Sequence, residues 1–219
     1  MIDLYTAPTP EGWKVSIALE ELRIPYVVHA VDACGGKRAV SDLSSVNPCA
    51  CVPAIIDHDE NGRAVSGASE ILVYLADKTG QLMPRDASGR ALAAYWLALN
   101  LDEIDARAGA RNAKSASAGA GVAGSAGATR SQLRRLFDTL DAQLERTDYL
   151  AGSFSIADIA QWAWVRMHAW SGIDMSGYRA LAGWMDRIAA RDACRRGIAV
   201  PRPFEPAQQV KLVKSILVR

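Results

Sequence analysis

The 219-residue sequence has little of what marks a secreted, membrane-spanning or nucleic-acid-binding protein. It has only four cysteines, Cys34, Cys49, Cys51 and Cys194. They are too few and too irregularly spaced for a disulfide framework. The net charge of +1 gives no general attraction to nucleic acid or to an anionic membrane. No apolar run reaches the length of about 18 residues that a membrane span needs, and no basic segment precedes an apolar one at the start. We therefore expect a cytoplasmic protein with neither nucleic acid nor membrane as its partner.

Histidine is also scarce, and its distribution argues against a metal centre. The chain has only three histidines, His29, His58 and His168, and they lie far apart. Structural and catalytic metal sites usually draw on ligands at short, recurrent spacings, which these residues do not show. We expect no metal cofactor and ordinary structural roles for all three side chains.

Residues 1–80 alternate between strand-like and helix-like segments. Turn signals and β-branched or aromatic residues favour four strands, at Ile2–Tyr5, Pro25–Val31, Val52–Ile56 and Arg63–Ser66. Apolar residues at helical spacing favour two helices, Trp13–Leu22 and Ser69–Lys78, with Gly80 as the C-cap of the second. This order predicts a small α/β domain with a mixed sheet over residues 1–80.

The strand signals stop after residue 80. A linker containing Pro84 is expected over residues 81–88, followed by helical patterns at Gly89–Ala106, Gln132–Arg146, Ser155–Trp170 and Tyr178–Ala190. These patterns predict an all-helical domain over residues 89–219. Ser155 and Asp158 have the spacing of a capping box, with aspartate in place of the usual glutamate or glutamine.

One segment of the helical region has an unusual composition. Glycine, alanine and serine dominate the residues from Ala106 to Thr129. Each glycine disfavours a helix by about 1 kcal/mol relative to alanine. Two interpretations stay open, either a mobile helical hairpin, or a segment that makes space beside a bulky substrate or is ordered by a partner.

The beginning of the chain is the most informative segment. It reads as a strand, a proline-containing turn and a helix, in which Thr9 suits the N-cap and Pro10 suits the first helical position. A strand that leads directly into a helix brings backbone N–H groups and the positive end of the helix dipole to one place. We therefore expect a ligand at Thr9–Gly12.

Five motifs in this order resemble the glutathione transferase superfamily, in particular its Nu-class and disulfide-bond oxidoreductase-like bacterial members. They are Ala7-Pro8-Thr9-Pro10-x-Gly12-x-Lys14, Asn47-Pro48 with Val52–His58, Ile71–Gly80, Tyr149–Gly152 and Phe154–Val165. The resemblance implies a thioredoxin-like glutathione-binding domain (1–80) and an all-helical substrate-binding domain (89–219). It also implies a homodimer, glutathione as cosubstrate, and a small electrophile or a disulfide as substrate.

The resemblance assigns roles to several residues near this first helix. Thr9 donates its hydroxyl proton to the glutathione sulfur, and the cis peptide bond Val52-Pro53 exposes a backbone edge to the peptide part of glutathione. Arg38 aligns with a glutamine that binds the glycyl end, and an arginine also binds a carboxylate. Lys14 is retained from the family motif, in a role that implies solvent exposure.

The chain departs from the family pattern at two places. Glu11 replaces an asparagine that donates to the thiolate, and an ionised carboxylate there raises the pKa of a bound thiol. Gly67 and Ala68 align with the Glu-Ser pair that holds the γ-glutamyl group, so Ser69 and Glu70 replace that pair only if the loop shifts. The binding residues that we expect are Thr9, Arg38, Val52, Pro53, Ala68, Ser69 and Glu70.

Three interpretations of this altered site stay open. In the first, Thr9 is the donor and Glu11 is the base of an enzyme for thiol conjugation, thiolysis or sulfur transfer with glutathione. In the second, the chain is a non-catalytic binding or structural protein that keeps the fold. In the third, it is a glutathione-dependent disulfide oxidoreductase, and the nearby Cys49 and Cys51 are either a redox pair or two small buried residues.

Overall fold

The computed structural model describes residues 1–31, 52–99, 134–168 and 173–203. Arg38, Cys49, Cys51 and the segment from Ala106 to Thr129 lie outside the described residues. The chain divides into two compact units, of which the first contains Met1–Met83 and the segment that begins at Ile188. The second begins at Pro84 and continues to Arg187. The predicted combination of a mixed-sheet domain and a helical domain is confirmed, and the predicted boundaries near residue 80 stay a prediction.

The first unit contains a four-stranded mixed sheet. Its strands are β1 (Ile2–Thr6), β2 (Tyr26–Ala30), β3 (Ala54–Asp57) and β4 (Arg63–Ser66). They lie in the order β2-β1-β3-β4, and β1 is parallel to β2 whereas the other two pairs are antiparallel. All four predicted strands are present, with ends displaced by no more than about two residues, as boundaries read from sequence usually are.

The register of the sheet brings three loops together. Tyr5 pairs with Ala54, and Ala54 pairs with Ser66 on the next strand. The carboxyl end of β1, the amino end of β3 and the carboxyl end of β4 therefore lie at the same end of the sheet. The loop that follows β1, the loop that precedes β3 and the loop that follows β4 meet there.

Seven α-helices and one short 3₁₀ helix, His58–Glu60, lie in the described ranges. The first unit contains α1 (Pro10–Leu22), α2 (Ala68–Thr79) and α7 (Asp192–Gly197). The others are α3 (87–99), α4 (134–144), α5 (Ile156–Val165) and α6 (Arg179–Ala189). Gly80 is the C-cap of α2 in the left-handed conformation, as predicted. None of these helices has the length and apolar character that crossing a membrane requires.

Helix α1 is enclosed by protein on most of its surface. It packs against α2 and α7, and its residues from Gly12 to Leu19 are all buried. The Ser16 hydroxyl donates to the Gly197 carbonyl at 2.7 Å, and a Cβ on Gly197 would lie 2.7 Å from the Cα of Ile17. These close contacts with α7 fix α1, and with it the first helical turn that follows β1.

In the second unit, α5 begins with the predicted capping box. Both reciprocal bonds between Ser155 and Asp158 are present. The Asp158 carboxylate also accepts from the Leu150 N–H at 3.0 Å and from Nε1 of Trp184 at 2.9 Å. One buried carboxylate therefore joins the start of α5 to α6 and to the segment before α5.

Candidate functional site

Thr9 forms the N-cap of α1, as the sequence predicts. Its backbone is extended, and its Oγ1 accepts a hydrogen bond from the Gly12 N–H at 3.1 Å. Pro10 occupies the first turn, where its missing N–H removes no helical hydrogen bond. Because a hydroxyl that accepts one bond still has its proton, Thr9 can donate to a ligand atom in front of the helix.

Gly12 allows the start of α1 to lie close to the end of β1. A Cβ at this position would lie 2.2 Å from the Ala7 carbonyl oxygen and 2.4 Å from Oγ1 of Thr6. Glycine alone avoids these overlaps. The same close approach fixes where Thr9 and Glu11 lie relative to the sheet.

Glu11 and Lys14 form an ion pair across the first turn of α1. Nζ of Lys14 donates to Oε1 of Glu11 at 2.7 Å. The Lys14 side chain is 0% exposed and the Glu11 side chain is 32% exposed. The implied solvent exposure of Lys14 is therefore wrong. Its neighbours in α1 are buried too, and a lysine in such surroundings requires a paired anion.

The Glu11–Lys14 pair changes the electrostatics expected from the sequence. Burial lowers the pKa of the Lys14 ammonium, and the charge and hydrogen bond of Glu11 oppose that shift. From the sequence alone Glu11 is an uncompensated negative charge, but in the structure Lys14 is its counter-ion. Only the negative end of the pair reaches solvent.

The loop before β3 forms the second part of the site. The Val52-Pro53 peptide bond is cis, as predicted. Pro53 is buried, and its carbonyl oxygen accepts from the Gly67 N–H at 3.1 Å. This hydrogen bond joins the cis-proline loop to the start of α2.

The start of α2 forms the third part. Gly67 is the N-cap with φ +93°, a conformation that favours glycine, and a Cβ there would lie 2.1 Å from Oε2 of Glu70. The Glu70 carboxylate thus occupies the space in which a side chain at position 67 would begin. A residue at the third helical position can reach back to its N-cap in this way. The replacement of the family's Glu-Ser pair by Ser69 and Glu70 stays a prediction. Ala68 and Ser69 are buried in the same turn.

Comparison with known proteins identifies the family to which this chain belongs. The family model described as the N-terminal domain of glutathione S-transferase matches residues 10–78, and the model of the C-terminal domain matches residues 119–192. The disulfide-bond oxidoreductase YfcG of Escherichia coli is 33% identical over 198 residues, which cover 88% of this chain and 92% of the relative. This chain belongs to the glutathione transferase superfamily. The predicted membership of the Nu-class-like bacterial group is confirmed by the same relatives.

Two solved glutathione transferases show the same fold with ligand present. A family member from Pseudomonas fluorescens Pf-5, with two glutathione bound, has a TM-score of 0.79 and 30% identity, and the match covers 91% of this chain and 93% of that one. A glutathione transferase from Burkholderia graminis, with two glutathione molecules bound per subunit, has a TM-score of 0.77 and 32% identity. That match covers 93% of this chain and 89% of the other.

The candidate site contains most of the residues that the sequence singled out. Thr9, Glu11, the Val52-Pro53 bond and the turn Ala68–Glu70 all belong to loops or helix starts at one end of the sheet. Arg38 lies outside the described residues, and the binding roles of all these residues stay predictions. Among the described residues, no group of three or more His, Cys, Asp or Glu side chains is arranged to hold a metal ion.

Lys14 is the residue that sequence reasoning misjudged. The available signals were its position between Trp13 and Val15 in a helix with few polar residues, and the glutamate three positions earlier. A helix that is apolar on most sides is usually buried, and residues three apart share a helix face. Together these signals predict a buried ion pair with Glu11.

Proposed function

We propose that this chain is a glutathione-dependent enzyme that joins the glutathione sulfur to a small electrophile at the start of α1. Family membership supports an enzyme of glutathione S-transferase type, and the Thr9 N-cap carries the more specific proposal. Its Oγ1 accepts from Gly12 and keeps a proton for the ligand sulfur. The sheet register, which gathers this N-cap, the cis-proline loop and the start of α2, supplies a frame for the rest of the tripeptide.

The two ends of glutathione have distinct proposed partners. The backbone edge at Val52-Pro53 pairs with the peptide part. The N-terminal turn of α2, at Ala68 and Ser69, favours the α-carboxylate of the γ-glutamyl group, and the Glu70 carboxylate favours its ammonium. Arg38, proposed from the sequence alone, binds the glycyl carboxylate.

In the proposed reaction, Glu11 accepts the thiol proton while the sulfur attacks the electrophile. A bond forms between glutathione sulfur and the electrophilic atom, and the bond to the leaving group breaks. The proton then passes from Glu11 to a basic leaving group, or to solvent when the leaving group is chloride. Thr9 holds the sulfur by its hydroxyl proton throughout. Conjugation by displacement and thiolysis both follow this scheme.

A disulfide is the second candidate electrophile. The observation that favours it is the name of the relative that is 33% identical over most of its length, a disulfide-bond oxidoreductase. Thiol–disulfide exchange obeys the same proton balance, because one sulfur gains a bond as the other leaves as a thiol. Turnover of 1-chloro-2,4-dinitrobenzene and of hydroxyethyl disulfide by the same preparation distinguishes a carbon electrophile from a disulfide.

Calorimetric titration with glutathione tests the site itself. We expect wild-type protein to bind, and Glu70→Gln to bind about tenfold more weakly because a charged hydrogen bond to the ligand ammonium is lost. Glu145→Gln is the matched control, since Glu145 is exposed and lies in the second unit. Absence of binding of both glutathione and glutathione disulfide to the wild type would refute the proposed function.

The resemblance also supports one proposal about substrate binding and one about assembly. We propose that the helical unit binds the electrophile and that two copies of the chain form a homodimer. Sedimentation velocity measures the second directly, and a species of one-chain mass at all concentrations would contradict it.

A further inference from the structure

The two side chains of the Glu11–Lys14 pair differ in their exposure to solvent. Nζ of Lys14 is completely buried, whereas the carboxylate that it contacts at 2.7 Å is one-third exposed. Glu11 lies in the first turn of α1, two residues after the Thr9 N-cap. A ligand in front of this turn therefore meets the carboxylate before it meets the ammonium.

The pair also holds the Glu11 charge in place. Nζ of Lys14 donates to Oε1 at 2.7 Å, and this bond between opposite charges fixes the position of the Glu11 carboxylate in the first turn. Lys14 is thus a positioning residue, which acts on the ligand through Glu11. A donor amide at position 11 would be neutral, but this chain presents a fixed negative charge.

A ligand with a negative charge on its sulfur is therefore repelled by the Glu11 carboxylate. The start of α1 contributes about half a positive charge, which is less than the full charge of the carboxylate. The Lys14 side chain is 0% exposed, so a ligand that contacts the exposed part of Glu11 does not contact the ammonium, whose attraction therefore acts over a longer distance. A neutral thiol avoids the repulsion and can donate its S–H to the Glu11 oxygen.

We propose that this site selects glutathione derivatives whose sulfur is uncharged, namely the thiol, thioethers and disulfides, over derivatives with a negative charge at sulfur. The proposal rests on the proposed function, because it requires glutathione to bind at the start of α1. It names the ligand class of that site, and Glu11 is the residue that determines it.

Calorimetry with three probes tests the selection at neutral pH. The probes are S-methylglutathione and glutathione disulfide, which are uncharged at sulfur, and glutathione sulfonate, which has a fixed negative charge there. We expect the wild type to bind the sulfonate about tenfold more weakly than S-methylglutathione. In Glu11→Gln the ratio of the two dissociation constants should fall by about tenfold or more, because the carboxylate is gone and the ammonium remains.

Two further variants separate charge from folding. Lys14→Met keeps the carboxylate and removes its counter-ion, so the discrimination against the sulfonate should increase, which is the opposite direction to Glu11→Gln. The double variant Glu11→Gln with Lys14→Met has no buried unpaired charge and should bind both probes with similar affinity. A purely structural role of the pair would weaken all probes by the same factor, and Glu145→Gln should change none of them.

The outcomes distinguish the two proposals. Equal binding of S-methylglutathione and the sulfonate by wild type, unchanged in all variants, overturns the selection and leaves the proposed function intact. Failure of the wild type to bind any of the three probes overturns both. Opposite shifts in Glu11→Gln and Lys14→Met support both.

Discussion

The buried carboxylate of Asp158 gives the stability of this protein a defined pH dependence. Burial raises the pKa of Asp158 from 3.8 to about 6, although hydrogen bonds from Leu150, Trp184 and Ser155 act in the opposite direction. A raised pKa means that the folded chain binds the proton more tightly than the unfolded chain. The contribution of Asp158 to the free energy of unfolding is fully present below about pH 4 and is lost as the pH rises through about 6. The rise from 3.8 to about 6 corresponds to about 3 kcal/mol.

Urea denaturation of wild type and Asp158→Asn measures this contribution. Tryptophan fluorescence reports the transition, because Trp184 donates to the Asp158 carboxylate. Since the other titrating groups are common to both proteins, their effects cancel in the difference between the two unfolding free energies. We expect wild type to lose about 3 kcal/mol relative to Asp158→Asn between about pH 4 and pH 7. The exposed Asp186→Asn is the control for loss of a carboxylate in the same unit.

The opposite slope would refute this reasoning. If wild type gains stability relative to Asp158→Asn as the pH rises, the hydrogen bonds favour the carboxylate anion more than burial disfavours it. The capping box would then act as a net anion site within the second unit. A flat difference would show that burial and hydrogen bonding cancel.

Two further predictions concern the first unit and its packing. Gly12→Ala should destabilise the protein by about 3 kcal/mol and weaken glutathione binding, because the added Cβ overlaps the Ala7 carbonyl; chemical denaturation and calorimetry measure the two effects. Gly183→Ala is the matched control, since its Cβ would lie 3.6 Å from Arg187 and alanine favours the helix by about 1 kcal/mol. Lys78→Met should lower stability at neutral pH by about 2 kcal/mol, because Lys78 donates to the buried Asp57 at 2.5 Å. Burial raises the pKa of Asp57, but hydrogen bonds from Lys78 and Tyr74 outweigh burial and hold this pKa below its ordinary value. The loss of stability caused by Lys78→Met should therefore shrink as acid protonates Asp57. Urea denaturation at neutral and at acidic pH measures this difference.

The features predicted correctly from the sequence depend on local rules. The Thr9 N-cap, the Gly80 C-cap and the capping box at Ser155 each follow from residue types within four positions of one another. The cis-proline was predicted from the family motif, and the strands from short alternating segments. Such signals survive in a single sequence because tertiary packing does not have to be known to interpret them.

The features that the sequence did not predict depend on packing between distant segments. Lys14 is buried because α1 is enclosed, and part of that enclosure comes from α7, whose Gly197 is 181 positions from Ser16. The Glu70 carboxylate occupies the space beside Gly67, and neither this position nor the positive φ of Gly67 was predicted. In both cases the residue type was noticed, but its surroundings required the fold.

The two departures from the family pattern share a physical property that bears on whether the site is used. At both positions a second residue offsets the charge or fills the space. Lys14, which the family motif also contains, pairs with Glu11, and the Glu70 carboxylate occupies the space beside Gly67. A buried ion pair is seldom more stabilising than apolar residues of the same size, so fold stability alone gives little reason to keep Lys14 and Glu11 together. A carboxylate in the first turn of α1 does have a function if a neutral sulfur binds there, because it then selects the ligand. For this reason we favour a modified catalytic site over a fold that has lost its ligand.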